Sequence, residues 1–177
     1  MSEEQPKYDV TKFAPGEAPV ERRTGFEMQR EFHEAFGHPV SDEPGLPNIG
    51  TEREAFKFLT DYVRRYLESS AESFYELAKK DNCRRSLRVA LLLEEVAEYL
   101  HGESVDNLTS IFDGLVDTCV IVEGTALEYG LPLDKGREEV HRANMSKLGA
   151  DGKPIHNEAG KIVKGPNYTP PDLKQFL

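Results

Sequence analysis

Apolar residues recur at intervals of three and four over most of this 177-residue chain and nowhere alternate convincingly with polar ones. Residues 1–23 carry Pro6, Pro15 and Pro19 with scattered charge and no period, which predicts an irregular arm. Thr24 is placed to cap a short helix that carries Met28, Phe32 and Phe36 along one side and stops at Gly37 and Pro39. A Pro-, Gly- and Asn-rich loop over 38–50 follows. Thr51 and Glu54 then form a capping-box pattern that opens a long helical stretch over 51–80. Its apolar positions include Phe58, Leu59, Tyr62, Tyr66, Phe74 and Leu77, and Ser69-Ser70 marks where it is expected to break in two. A third helix is expected from about Arg84 to His101. A fourth runs from a cap at Asp106 to Gly130, with Pro132 beyond, and a fifth covers about 133–147. The tail, 149–177, is rich in Gly and Pro and suits a loop or small hairpin. The predicted fold is therefore an all-α bundle over 24–148, with 51–80 as an extra stretch and the tail expected to pack near the active site.

The third helix reads Arg88-Val-Ala-Leu-Leu-Leu-Glu94-Glu95-Val-Ala-Glu98-Tyr99. At roughly 100° per residue, Leu91 and Tyr99 flank Glu95 by about 40° on either side, and Glu98 and Glu94 lie some 60° and 100° away on one side. The three carboxylates form one band, with Glu95 turned toward the edge of the core. The fourth helix is apolar on nearly every face, which predicts an interior position. Asp113 and Asp117 nevertheless stand on it one turn apart. Buried carboxylates need basic partners or cations. Few bases lie near, whereas a second acidic band lies one helix earlier. The short 102–105 connection makes the two helices antiparallel neighbours. Carboxylates converging from both sides suit a hard divalent cation such as Mg²⁺ or Mn²⁺.

The net charge of −10 argues against a nucleic-acid polymer or an anionic membrane as main partner. No apolar run is long enough to span a bilayer, and Met-Ser-Glu-Glu does not open a signal peptide. Cys83 and Cys119 lack metal-site spacing and are expected to be buried free thiols of a reducing, cytoplasmic compartment.

Arg88-x-x-Leu-Leu-x-Glu94-Glu95-x-x-Glu98, Asp113-Gly-Leu-Val-Asp117, Gly124-Thr125-Ala126, Glu139-Val-His-Arg-Ala-Asn144-Met-Ser-Lys147-Leu148 and the tail Gly160-Lys161-Ile-Val-Lys164-Gly165-Pro166 together resemble the MazG-like and phosphoribosyl-ATP pyrophosphohydrolase-like all-α proteins. Phe32-His33-x-x-Phe36-Gly37 resembles their first helix, so the likeness covers about 26–40 and 84–173. The resemblance implies cleavage of a nucleoside triphosphate or related nucleotide to the monophosphate and pyrophosphate. It leaves open a phosphoribosyl-ATP or dUTPase-type substrate, and it implies a helical bundle completed by dimerisation. The aromatic residues Phe56, Phe58, Tyr62, Tyr66, Phe74 and Tyr75 of the long stretch leave more apolar helix face than one small bundle needs, which predicts a homodimer or homotetramer. By the same resemblance Glu95, Glu98, Asp113 and Asp117 hold Mg²⁺, with Mn²⁺ as a substitute, and Glu94 directs the attacking water. Arg88, Asn144, Lys147, Lys161, Lys164 and Tyr168 are the expected substrate contacts.

Two departures stand out. The family's second acidic motif is usually Glu-x-x-Asp, but Gly114 holds the Glu position, and Asp113 is the expected substitute. The 51–80 stretch is also longer than the usual spacer, as if it supplied a dimer surface or a lid. Two other classes compete. Glu98-x-x-His101 and Glu138-x-x-His141 each match the Glu-x-x-His pattern of di-iron carboxylate bundles, although His101 abuts the helix end at Gly102. A non-catalytic interaction bundle would tolerate alanine at Asp117.

Overall fold

The computed structural model describes residues 23–158 and 160–177, so the expected arm falls almost entirely outside the described residues. Among the described residues there are five α-helices: α1 Gly25–Phe36, α2 Arg53–Asp81, α3 Arg84–Ser104, α4 Leu108–Tyr129 and α5 Leu133–Met145. Two short strands, β1 Ile155–His156 and β2 Ile162–Val163, pair antiparallel with Ile155 opposite Val163. The chain is mostly helical, as its periodicity predicts. It divides into two compact units, one comprising the segments up to Asp42 and Leu131–Leu177, the other Glu43–Gly130.

In the first unit α1 packs on α5. Thr24 caps α1 as expected and, beyond that expectation, closes a capping box with Glu27, the Thr24 hydroxyl accepting from the Glu27 amide at 3.2 Å and the Glu27 carboxylate accepting from the Thr24 amide at 2.7 Å. Ala35 and Phe36 meet Met145 and Leu148 in a small core, with Phe32 and Ile162 against it. Glu31 lies 2.7 Å from Nε2 of the buried His141 and also pairs with Arg23. The tail folds back onto the end of α5. Arg142, gripped by Glu139 at 2.7 Å, donates to the Pro170 carbonyl, while Ser146 accepts from the Thr169 amide at 3.0 Å. Gly165 donates to the Lys147 carbonyl at 3.0 Å. A Cβ there would stand 2.4 Å from the Leu148 carbonyl oxygen, so only glycine permits this clasp.

In the second unit α3 packs against both α2 and α4. Several expectations change here. α2 is one uninterrupted helix, because the Ser70 hydroxyl bonds the Tyr66 carbonyl at 2.8 Å and that of Ser73 bonds Ser69 at 3.0 Å; satisfied within the helix, these serines do not break it. Its start lacks the Thr51–Glu54 box: Glu52 is the N-cap and makes no side-chain cap bond. Asp106 does not cap α4 either. It adopts a left-handed turn (φ 55°) and is held by Lys57 at 2.5 Å and by Arg53, so Asn107 takes the cap and accepts from the Thr109 and Ser110 amides at 3.1 and 3.2 Å.

The largest correction concerns α4, which is not an interior helix. Only Ile111, Gly114 and Ala126 are buried on it. Phe112 and Leu127 are 68% and 82% exposed, and Leu115, Val116 and Val120 are also exposed. A helix packed on one neighbour buries one stripe, whatever the hydrophobicity of its other faces. Cys119, expected to be buried, is exposed on the same helix, while both cysteines are free.

The contact between α3 and α4 is very close. Ala90, Ala97 and Gly102 on α3 and Gly114 and Ala126 on α4 are all buried. A Cβ at Gly114 would come within 2.6 Å of the Tyr99 amide nitrogen, and one at Gly102 within 2.6 Å of that of Ile111. Both obstacles are backbone, so relief requires the helices to part. Gly114→Ala is expected to cost about 1–3 kcal/mol, which for a chain of this size lowers Tm by roughly 2–12 °C. Calorimetric melting checks this, and an unchanged Tm would show that the crossing yields freely.

Candidate active site

Glu95 and Glu98 reach from α3, and Asp117 from α4, so that one carboxylate oxygen of each lies within 4.8 Å of the other two. The close crossing at Gly114 brings these stripes together. Glu95 and Asp117 are half-buried and Glu98 is exposed. Among the described residues, none of the three has a basic side chain in ion-pair range. Burial and the charges of Glu98, Asp117, Glu94 and Asp113 push the Glu95 carboxyl above the usual carboxylate range. A site of this kind is relieved by a bound cation. Ions with metal–oxygen distances of about 2.1–2.4 Å hold opposed oxygens roughly 4.2–4.8 Å apart, so the donor set and its spread fit a hard divalent ion. Asp113 stands outside the trio. It is exposed, one turn before Asp117, and near enough to act on Glu95 electrostatically.

Glu94 faces another way. Its carboxylate accepts a hydrogen bond from the phenol of Tyr75 on α2. Sequence reasoning counted Tyr75 only among the aromatic residues of the long stretch. Its one legible signal was a hydroxyl on a ring at an apolar helix position, which requires a partner.

Arg88 ties α3 to α4. Its Nε donates to Thr125 Oγ1 at 3.0 Å, Nη2 to the Ile121 carbonyl at 2.5 Å, and Nη1 lies 3.6 Å from Glu128. A Cβ at Gly124 would sit 2.8 Å from Nη2. The Gly124-Thr125-Ala126 motif thus has a packing meaning: room for the guanidinium, an acceptor for it, and a small buried contact. In the other unit Lys147 Nζ donates to Asn144 Oδ1 at 2.8 Å, Lys164 Nζ lies 4.5 Å from the centre of the Tyr168 ring, and Lys161 is exposed.

Fold and site together define a class: all-α proteins with carboxylates converging from two antiparallel helices. Residues 59–144 match the profile of the phosphoribosyl-ATP pyrophosphohydrolase family. Among solved structures, a candidate NTP pyrophosphohydrolase from Exiguobacterium sp. 255-15 shares the fold with a TM-score of 0.54 at 23% identity, over 88% of this chain and 94% of its own. No curated protein matches the chain significantly. The family match over 59–144 agrees with the resemblance that the motifs carry to MazG-like and phosphoribosyl-ATP pyrophosphohydrolase-like proteins. The match begins inside α2 and takes in residues 59–80 of the long stretch. Among the described residues, no helix is long and apolar enough to cross a membrane.

Proposed function

We propose that the protein hydrolyses a nucleoside triphosphate or related nucleotide to the monophosphate and pyrophosphate, with Mg²⁺ (or Mn²⁺) as cofactor. The observation that carries this reading is the convergence of Glu95, Glu98 and Asp117, with no basic partner among the described residues, inside the segment that matches the family. These three residues hold the ion and Asp113 adds charge beside them. The bound ion supplies positive charge to the phosphate oxygens. Glu94, turned aside from the trio, orients the attacking water and takes its proton. The water oxygen bonds to the α-phosphorus as the bond from that phosphorus to the bridging oxygen breaks, and pyrophosphate leaves with that oxygen.

Lys147, Asn144, Lys161, Lys164 and Tyr168 are the proposed contacts to phosphate or base, while Arg88 supports α4 and contacts substrate only secondarily. The uncovered apolar face of α4 supports a homodimer or a dimer of dimers. Free Cys83 and Cys119 agree with a cytoplasmic location. Phosphoribosyl-ATP is the second substrate reading, favoured by the identity of the matching family. A panel of canonical nucleotides, dUTP and phosphoribosyl-ATP with Mg²⁺ tests the proposal. Release of pyrophosphate from at least one is expected, and release of orthophosphate alone would overturn it.

A further inference from the structure

We propose that Tyr75 is a positioning residue of this site: its hydroxyl, carried in by α2, donates to the Glu94 carboxylate and holds it in one orientation. The inference rests on the proposed function, since it concerns how the water-directing carboxylate is kept in place. Glu94 is exposed on α3, whereas Glu95 turns toward Glu98 and Asp117. A Glu side chain in that setting moves among several rotamers, and fixing it costs up to about 2 kcal/mol of side-chain entropy. Reaction through a rotamer-averaged base would be slow, because misplacement by about 1 Å can cost on the order of 10²-fold in rate.

Tyr75 suits the task. Its ring is half-buried, so few torsions remain free, and its hydroxyl meets Glu94 across the α2–α3 contact. A phenol-to-carboxylate bond is charge-assisted and stronger than a neutral one. Burial, the Glu94 bond and the nearby Glu95 charge push the phenol up to about 12, so it remains a donor throughout the neutral range. The assignment also gives the 51–80 stretch a role that sequence reasoning did not foresee. Beyond any dimer surface or lid, it delivers a hydroxyl to the site.

Tyr75→Phe keeps the ring and removes only the hydroxyl. It is expected to lower kcat roughly 10- to 100-fold, while KM and the calorimetric Mg²⁺ affinity stay within about twofold and Tm stays within about 3 °C of wild type. In a Glu94→Gln background the same change is expected to alter kcat less than about twofold, because the group it positions is already disabled. Full kcat in Tyr75→Phe, equal effects in both backgrounds, or a parallel fall in Mg²⁺ affinity would each overturn the inference. If the wild type releases pyrophosphate and Tyr75→Phe matches it, only this inference fails. A wild type that releases none from any nucleotide removes the parent reading and this one with it.

Discussion

Glu94→Gln is expected to lower kcat by about 10²–10⁴-fold while Mg²⁺ binding largely survives, and Glu95→Gln is expected to lose both. The difference follows from where the two neighbours point. Glu95 shares its space with Glu98 and Asp117, whereas Glu94 meets Tyr75. An amide is a poorer ligand for a hard cation than a carboxylate, so removing the Glu95 charge weakens the site itself. An amide at Glu94 accepts no proton but leaves the trio intact. Melting separates the cases independently of turnover. A ligand that binds only the folded state raises stability by RT ln(1 + [L]/Kd), so saturating Mg²⁺ should raise the wild-type Tm by several degrees, and EDTA should reverse the gain. Glu95→Gln should lose that response. Without metal, its Tm should hold or rise, since it relieves the repulsion that pushes the Glu95 carboxyl up. Parallel titration calorimetry and steady-state kinetics decide the matter. Equal loss of metal in both variants would make Glu94 a ligand too, and normal turnover in Glu95→Gln would remove the site.

The second large effect concerns assembly. Phe112, Val116, Val120 and Leu127 form one stripe along α4, and all are exposed in the single chain. Contiguous apolar surface of this kind is rare on monomers and marks an interaction face. Light scattering is expected to give at least twice the 20.0 kDa chain mass. The double change Phe112→Asp and Leu127→Asp is expected to raise the dimer dissociation constant by about 100-fold or more, because hot-spot aromatic and aliphatic anchors carry most of an interface's free energy. Both residues lie away from the buried contact to α3, so helix content by circular dichroism should survive. A wild-type mass of 20.0 kDa at micromolar concentration would contradict the assembly.

Much of the helical content was legible because the signals are local. Thr24 and Glu27 cap α1 through atoms three residues apart, and Gly130 ends α4 in a left-handed turn ahead of Pro132. Where two local signals competed, tertiary contact chose between them. Asp106 and Asn107 are both good caps, and Lys57 with Arg53 took Asp106 from the cap position. Hydrophobicity all around α4 says that several faces seek cover, but not whether the same chain provides it.

The candidate site divides the same way. The sequence by itself determined that Glu95 and Glu98 share one helix face and that Asp113 and Asp117 share another, because a helix of fixed pitch converts spacing into direction. Residues 59–144 also carry enough pattern to match the phosphoribosyl-ATP pyrophosphohydrolase family profile. Only the tertiary structure decided which carboxylates meet. That choice depends on how closely and at what height two helices cross, which turns on single contacts such as Gly114 against the Tyr99 backbone. It placed Asp117 in the trio and left Asp113 at its edge, and it brought Tyr75 to Glu94 from a helix whose periodicity records only which face is apolar.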